Sequence, residues 1–353
     1  MSHAAAREAL ERKSVDATST SPAPNPGRLF EMFTAYQQSA ALRAAVELDL
    51  GTAIAERQTT AEQIAERAGA SVRGIRILCD YLTIVGVLTK DGPNYGLTVD
   101  SAMFLNRRSP AYLGTVARFL DAPELLHFFD RLTEAVRQGG TAVGEGTLKT
   151  DNPLWVEFAR SMAPLMVPPA NFIAKLVDAE KGNKCRILDI AAGHGLFGIT
   201  IARINPRARI VAQDWPSVLA VAKDNAQQAG ITERYSTIPG NAFEVDFGEN
   251  YDFVLLTNFL HHFDPATNEK LLRKVHAALA PNGCAVTLDF VPNNDRVTPP
   301  DTAAFSLMML GSTPHGDAYT FAEFERMFTR AGFTRCQHFR EPDLRESVIV
   351  SCK

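Results

Sequence analysis

From Lys184 onward the chain alternates short β-rich runs with helical ones, and one strand-to-helix junction is the glycine loop ILDIAAGHGLFG. The runs CRILDIAAG, RIVAQD, YDFVLLTN and CAVTLDFV are separated by FGITIARINP, VLAVAKDNAQQAG and NEKLLRKVHAALA. That alternation predicts a parallel, doubly wound α/β sheet with its site at the strands' C-terminal ends. Gly193-His194-Gly195-Leu196-Phe197-Gly198 matches G-x-G-x-x-G, where backbone can approach a ligand closely as a strand turns into a helix. Asp214, ending RIVAQD, sits where a carboxylate can take ribose hydroxyls.

A dinucleotide and S-adenosyl-L-methionine both meet these requirements, and three features favour the second. Asp189 places an anion in the strand end, which suits an ammonium and a sulfonium better than a pyrophosphate. The loop PGNAFE offers Asn241 to an adenine edge, Ala242 beside it and Phe243 to cover it. The residues after Lys184 suffice for one seven-stranded sheet, whereas dinucleotide folds usually follow such a loop with a longer one. Gly198 reads as helix packing, and His194 as a loop residue rather than an acid or base.

The remainder of the chain bounds the setting. A chain of 353 residues, 46% hydrophobic and 22% charged, predicts two globular domains with substantial cores. A net charge of −4 gives no footprint for nucleic acid or an anionic membrane, and no apolar run approaches the roughly 20 residues of a membrane span. MSHAAAREALERKS lacks the apolar segment of a secretory signal, and five scattered cysteines without a C-x-x-C pair predict reduced thiols. A cytoplasmic enzyme is expected.

Residues 1–27, ending in SPAPNPG, read as a mobile tail. Within 28–110, Leu29, Met32, Phe33, Tyr36, Ala40 and Leu42 lie on overlapping helical faces. A short helix after Thr60, a turn at Gly69, a helix carrying Ile75, Leu78, Leu82 and Val85, and a hairpin turned by Asp91–Asn94 make a winged helix. Such a fold can bind DNA, but Arg73 and Arg76 are the basic residues its second helix offers, and a dimerisation module is favoured. Residues 111–178 read as helical, with Trp155, Phe158, Met162, Leu165 and Met166 crowded where Pro164, Pro168 and Pro169 interrupt. Residues 179–353 form the catalytic domain.

Taken in order, Asp189-x-Ala191-x-Gly193-x-Gly195, Asp214, GNAF, YDFVLLTNFLHHF, LAPNG and AYTFAEFERMFTRAGF resemble the class I S-adenosylmethionine-dependent methyltransferases. More narrowly, the chain resembles the plant phenolic and bacterial polyketide and carotenoid O-methyltransferases, from about residue 28 to the end. The resemblance implies a winged-helix dimerisation domain joined to a Rossmann-like domain, and a homodimer through the N-terminal part. It implies methyl transfer to a small aromatic or polyketide-type hydroxyl, with S-adenosyl-L-homocysteine as the other product. Asp189, Gly193, Gly195, Asp214, Asn241, Ala242, Phe243 and Asn258 are the expected cofactor residues. Trp155, Met162, Met166, Phe259, His262, Phe305, Met308 and Tyr319 are the expected acceptor pocket.

The double histidine of LLTNFLHHFDP carries the chemistry. Removing a hydroxyl proton suits an imidazole, whose pKa lies near neutrality. The family pattern F-x-L-H-D-W puts the general base on His261 and makes Asp289 of TLDFV its orienting carboxylate. His262 then stands where the family has aspartate, Phe263 where it has tryptophan, and the second family acid falls near Ala318. An alternative keeps a metal, held by His261, His262 and His315 with Asp264, Asp289 or Asp317, for C-methylation of a keto acid. A winged-helix regulator sensing S-adenosylmethionine and a nicotinamide oxidoreductase are the remaining competitors. His127, His276 and His338 are assigned to structure.

Overall fold

The computed structural model describes residues 24–353, so the expected tail lies outside the described residues up to position 23. Gly27 already opens the first helix, Gly27–Glu47. Helix Ala61–Ala68 begins where Thr60 accepts the Gln63 N–H and the Gln63 side chain returns to the Thr60 N–H. It stops at Gly69, whose φ of 61° places it in the left-handed region. Ser71 caps helix Val72–Ile84, and β1 (Leu88–Asp91) and β2 (Asn94–Leu97) pair antiparallel as the expected hairpin. Leu50, Ile64, Ile75, Cys79, Leu82, Leu88 and Tyr95 form the core of this mostly helical N-terminal unit. Arg76 is spent on Asp80, to which the Tyr95 hydroxyl also donates at 2.7 Å.

Beyond it, helix Ala163–Leu176 runs through the prolines expected to interrupt it. Pro164 lies in the first turn, where a missing N–H costs nothing, and Pro168 and Pro169 are accommodated inside. Burial of Met166, Ala170, Ile173 and Ala174 against the sheet outweighs the lost hydrogen bonds.

The second unit is a three-layer sandwich about a seven-stranded sheet, in the order β5-β4-β3-β6-β7-β9-β8. The strands are β3 (Cys185–Ile190), β4 (Ala208–Asp214), β5 (Tyr235–Pro239), β6 (Tyr251–Thr257), β7 (Leu279–Asp289), β8 (Arg335–Arg340) and β9 (Ser347–Cys352). Alternate residues serve opposite faces. Leu188, Ile190, Val254 and Leu256 meet Leu272, Val275, Phe324 and Phe328 on one side. Ile187, Leu255, Val286 and Val348 meet Ile173, Phe197 and Ile199 on the other.

The sheet is mixed rather than all parallel, which corrects the sequence expectation. β9 runs antiparallel to both β7 and β8. These two closing strands are joined without a crossover helix, as antiparallel neighbours can be. LAPNG, expected as a turn, is the irregular start of β7, where Leu279 pairs with Tyr251 before the register shifts.

The expectation of reduced thiols also fails for one pair. Cys284 and Cys352 face each other across β7 and β9 and are joined by a disulfide, while Cys79, Cys185 and Cys336 are free. Their separation of 68 residues conceals a direct cross-strand contact. Closing a loop of that length restricts the unfolded chain, worth about 4 kcal/mol on the chain-entropy argument.

Candidate active site

The chain builds β3, β4 and β5 outward in one direction, then returns to place β6 and β7 on the other side of β3. This reversal opens a crevice beyond the strand ends, where ligands of open α/β sheets bind. The glycine loop lies on its floor. Gly195 has φ 72°, and a Cβ there would lie 2.5 Å from the Tyr235 hydroxyl, so the loop demands glycine on both conformation and space.

Asp189 and Asp214 hold that loop. Asp189 is fully buried, and its Oδ2 accepts the Gly198 N–H at 3.3 Å. Asp214 accepts the Gly193 N–H at 2.8 Å and the Trp215 N–H at 2.7 Å. Burial pushes the Asp189 carboxyl up to about 8 and Asp214 up to about 6. His194, buried in the same loop, accepts the Leu196 N–H through Nδ1 and is pushed down to about 4 by desolvation, hence neutral.

At the ends of β3 and β6, the buried Asp189 Oδ1 and Asn258 Oδ1 have no partner among the described residues. Asn258 sits just past β6 with φ 52°, and its amide nitrogen donates to the Met166 sulfur at 3.4 Å. The ionised Asp189 carboxylate and the Asn258 amide oxygen are both acceptors, so a cationic donor completes them, and its charge favours ionisation of the raised Asp189 carboxyl. An ammonium fits; a pyrophosphate does not. The residues present therefore suit the methionine part of S-adenosylmethionine.

Asn241, expected at an adenine edge, also shapes its own turn. Its Oδ1 accepts the Phe243 N–H at 3.0 Å and its Nδ2 donates to Glu244 at 3.1 Å, so the side chain is engaged in shaping its own turn. Such local bonding is what short amide side chains do in turns. Ala242 is buried, with its carbonyl bound by Lys274, and Phe243 packs edge-on to Phe263 with centroids 5.0 Å apart.

The first strong consequence concerns Asp189. Its pKa is raised on folding from 3.8 to about 8, so its contribution to stability is full below about 4 and is lost as pH rises through about 8. Asp189→Asn removes this dependence. Thermal unfolding of the ligand-free variant should weaken less between pH 5 and 9 than that of the parent. Calorimetry should show S-adenosylhomocysteine binding at least about tenfold weaker in the variant. A variant matching the parent in both measurements would remove Asp189 from the cofactor site.

At the end of β6, Leu260–His262 form a single 3₁₀ turn. Asn268 ties it down by donating to the carbonyls of Leu260 and Phe263 at 2.9 and 3.2 Å. His261 Nδ1 lies 2.7 Å from Asp289 Oδ1, and both residues are buried. Asp289, the last residue of β7, is held by the Phe290 N–H at 2.8 Å on the same oxygen. Asp289 accepts the hydrogen bond from Nδ1–H, which assigns the lone pair to Nε2. The loop Thr313–Tyr319 lies against the backbone of this turn, with the Asp317 N–H donating to the His261 carbonyl at 2.9 Å.

Aromatic rings surround the pair. Phe305 is edge-on to His261 with centroids 4.8 Å apart and stacks on Phe290 at 3.9 Å. Trp155 is edge-on to His262 at 5.2 Å, its indole N–H fixed by the Thr147 carbonyl at 3.0 Å. Met308 follows Phe305 by one turn on its helix, and Met162 and Met166 are buried, Met166 with its sulfur against the Asn258 amide. Tyr319 is 4% exposed in the sheet's core and donates its hydroxyl to the Phe263 carbonyl at 2.6 Å. Phe259 is half-buried against the same cluster and meets Phe263, which itself abuts Phe243.

The alternative metal set is not assembled. Among the described residues no group of three or more His, Cys, Asp or Glu side chains is placed to hold a metal. His315 is exposed, Asp264 caps helix Pro265–Ala278, and Asp317 pairs with Arg296 at 3.0 Å. Thr147, Phe290 and Gly316 are the supporting residues that sequence reasoning missed. Of these, Phe290 had a signal, since it directly follows the proposed carboxylate.

Comparison with known proteins follows this geometry. A family model described as an O-methyltransferase domain matches residues 129–334, and one described as an O-methyltransferase dimerisation domain matches residues 30–107. The tetracenomycin polyketide synthesis 8-O-methyl transferase of Streptomyces glaucescens is 29% identical over 88% of this chain and 91% of its own. A Nostoc punctiforme crystal structure, provisionally assigned as an O-methyltransferase, is 52% identical with a TM-score of 0.90 over 94% of this chain and 99% of its own. PigF of Serratia, solved with S-adenosylhomocysteine, is 25% identical with a TM-score of 0.81 over 94% of this chain and 100% of its own.

Proposed function

Because this chain belongs to the S-adenosylmethionine-dependent O-methyltransferases, we propose that it methylates a phenolic hydroxyl of a small, flat polyketide-type acceptor, with His261 as general base. The observation that carries this reading is the buried 2.7 Å pair of His261 and Asp289 at the C-terminal ends of β6 and β7. When bound, S-adenosylmethionine supplies a methyl group activated on a sulfonium.

The chain's own residues do the rest. Asp189 and Asn258 present their open oxygens to the cationic end of the cofactor, and Asp214 its remaining lone pairs to the ribose. Trp155, Met162, Met166 and Phe305 exclude water and hold a flat ring against the base. His261 Nε2 takes the hydroxyl proton. Asp289 keeps the imidazole in the required tautomer and stabilises it once charged. The tetracenomycin relative, whose name specifies 8-O-methyl transfer in polyketide synthesis, supports the acceptor class.

Helix Gly27–Glu47 supports a homodimer. Phe30, Met32, Phe33 and Tyr36 are exposed in the single chain, Phe33 by 77%. An apolar strip of that kind suits a second copy, and no helix among the described residues is long and apolar enough to cross a membrane. The reaction is tested with methyl-labelled cofactor and a panel of naphthols and hydroxyanthraquinones. The label should appear on oxygen; its appearance on a ring carbon would sink the O-methyl reading of the acceptor.

A further inference from the structure

We propose that His262 reads a second oxygen on the acceptor, so that the pocket selects phenols whose reacting hydroxyl is flanked by a carbonyl. This rests on the O-methyl reading above and names the acceptor within it. The geometry starts from two imidazoles on one short turn, with ring centroids 4.3 Å apart. His261 is committed through Nδ1 to Asp289, whereas His262 Nδ1 is buried with no partner among the described residues. His262 is only 7% exposed, wedged between His261 and the fixed indole of Trp155.

Burial, with His261 beside it, holds His262 well below the usual histidine range, so the ring is neutral. A neutral imidazole has one N–H and one lone pair, and a buried ring left unpaired carries the full desolvation penalty. Nothing in the wall repays that penalty. An acceptor oxygen can.

The adjacency of the two rings sets which acceptor. A hydroxyl and a carbonyl in ortho or peri relation hold their oxygens about 2.6 Å apart in an internal hydrogen bond. Two neighbouring imidazoles can take one oxygen each. His262 donates its N–H to the carbonyl, which releases the phenol proton from the internal bond to His261 Nε2. The phenol O–H pair becomes the O–CH₃ bond while the S–CH₃ pair stays on sulfur as a neutral thioether, and the proton remains on His261. An ionised carboxylate at position 262 could only accept, and would repel the carbonyl.

Isomers with and without the flanking carbonyl test this. The kcat/KM ratio is measured for 1-hydroxyanthraquinone over 2-hydroxyanthraquinone, and for 2-hydroxybenzaldehyde over 4-hydroxybenzaldehyde. The wild type should favour the flanked isomer in at least one pair. His262→Phe, which keeps the ring contacts, should lower that ratio on the order of 10- to 100-fold, and His262→Asn, which keeps an N–H, should recover part of it. A wild type that favours neither flanked isomer, or methylates none of the four, overturns the inference. So does a ratio unchanged in His262→Phe. The base reading is judged separately, on an unflanked phenol that is un-ionised at the assay pH: a His261→Ala loss in kcat of at least about 10²-fold retains it whatever the ratio, and an unchanged kcat overturns it.

Discussion

Replacing His261 by alanine should lower kcat by about 10²- to 10⁴-fold while S-adenosylhomocysteine affinity changes little. The split is expected because His261 lies at the end of β6 and is paired with Asp289, not with the glycine loop. A lost base and a lost aligning ring can be told apart with acceptors of graded acidity. A phenol already ionised at the assay pH needs no base, so the defect should shrink toward nitrophenol-like acceptors. An equal defect across the series would leave His261 as a pocket wall, with alignment alone driving transfer. Asp289→Asn should follow the same trend with a smaller loss, because Nδ1 keeps a hydrogen-bonding partner but the charged imidazolium loses its counterion.

Gly316→Ala should be nearly as damaging, although position 316 carries no chemistry. A Cβ there would lie 2.3 Å from the His261 carbonyl oxygen, 2.6 Å from Thr313 Oγ1 and 3.1 Å from the His262 carbonyl carbon. Two of these neighbours are backbone, which cannot swing aside as a side-chain tip can. The loop or the histidine turn must move, at a cost of about 1–3 kcal/mol in stability. Displacing the base by even 1 Å can cost about 10²-fold in rate. A fall in melting temperature should therefore accompany a kcat loss of more than about tenfold in the protein that remains folded. Should stability fall while the folded fraction keeps full kcat, the loop has no part in seating His261.

Much of this was legible in the chain. Thr60, Gly69, Ser71 and the Asp91–Asn94 turn announced the N-terminal helices and hairpin, because caps and turns are local chemistry. The glycine loop, Asp214 and the double histidine each sit at the end of a β-rich run, so one parallel rule carried them to one edge. The family resemblance pairs His261 with Asp289, and they lie in hydrogen-bond contact.

What was illegible depended on contacts between distant segments. That Tyr319 sinks into the core under β6 depends on the Phe263 carbonyl, far off in the chain. On helix Gly27–Glu47, Met32, Phe33 and Tyr36 are exposed while Ala45 is buried, a division the helical pattern alone does not make. Cys284 and Cys352 look unrelated until β9 returns antiparallel beside β7.

The sequence by itself determined the sheet-forming periodicity, the loop that must be glycine, and the residue types able to hold a cation and move a proton. Those follow from backbone sterics and side-chain chemistry, which act within a few residues. Only the tertiary structure decided that His261 is committed to Asp289 while His262 is left open, and that Gly316 presses on both. Which buried polar atom finds a partner depends on strands and loops that meet from opposite ends of the chain, and packing, not local propensity, settles that.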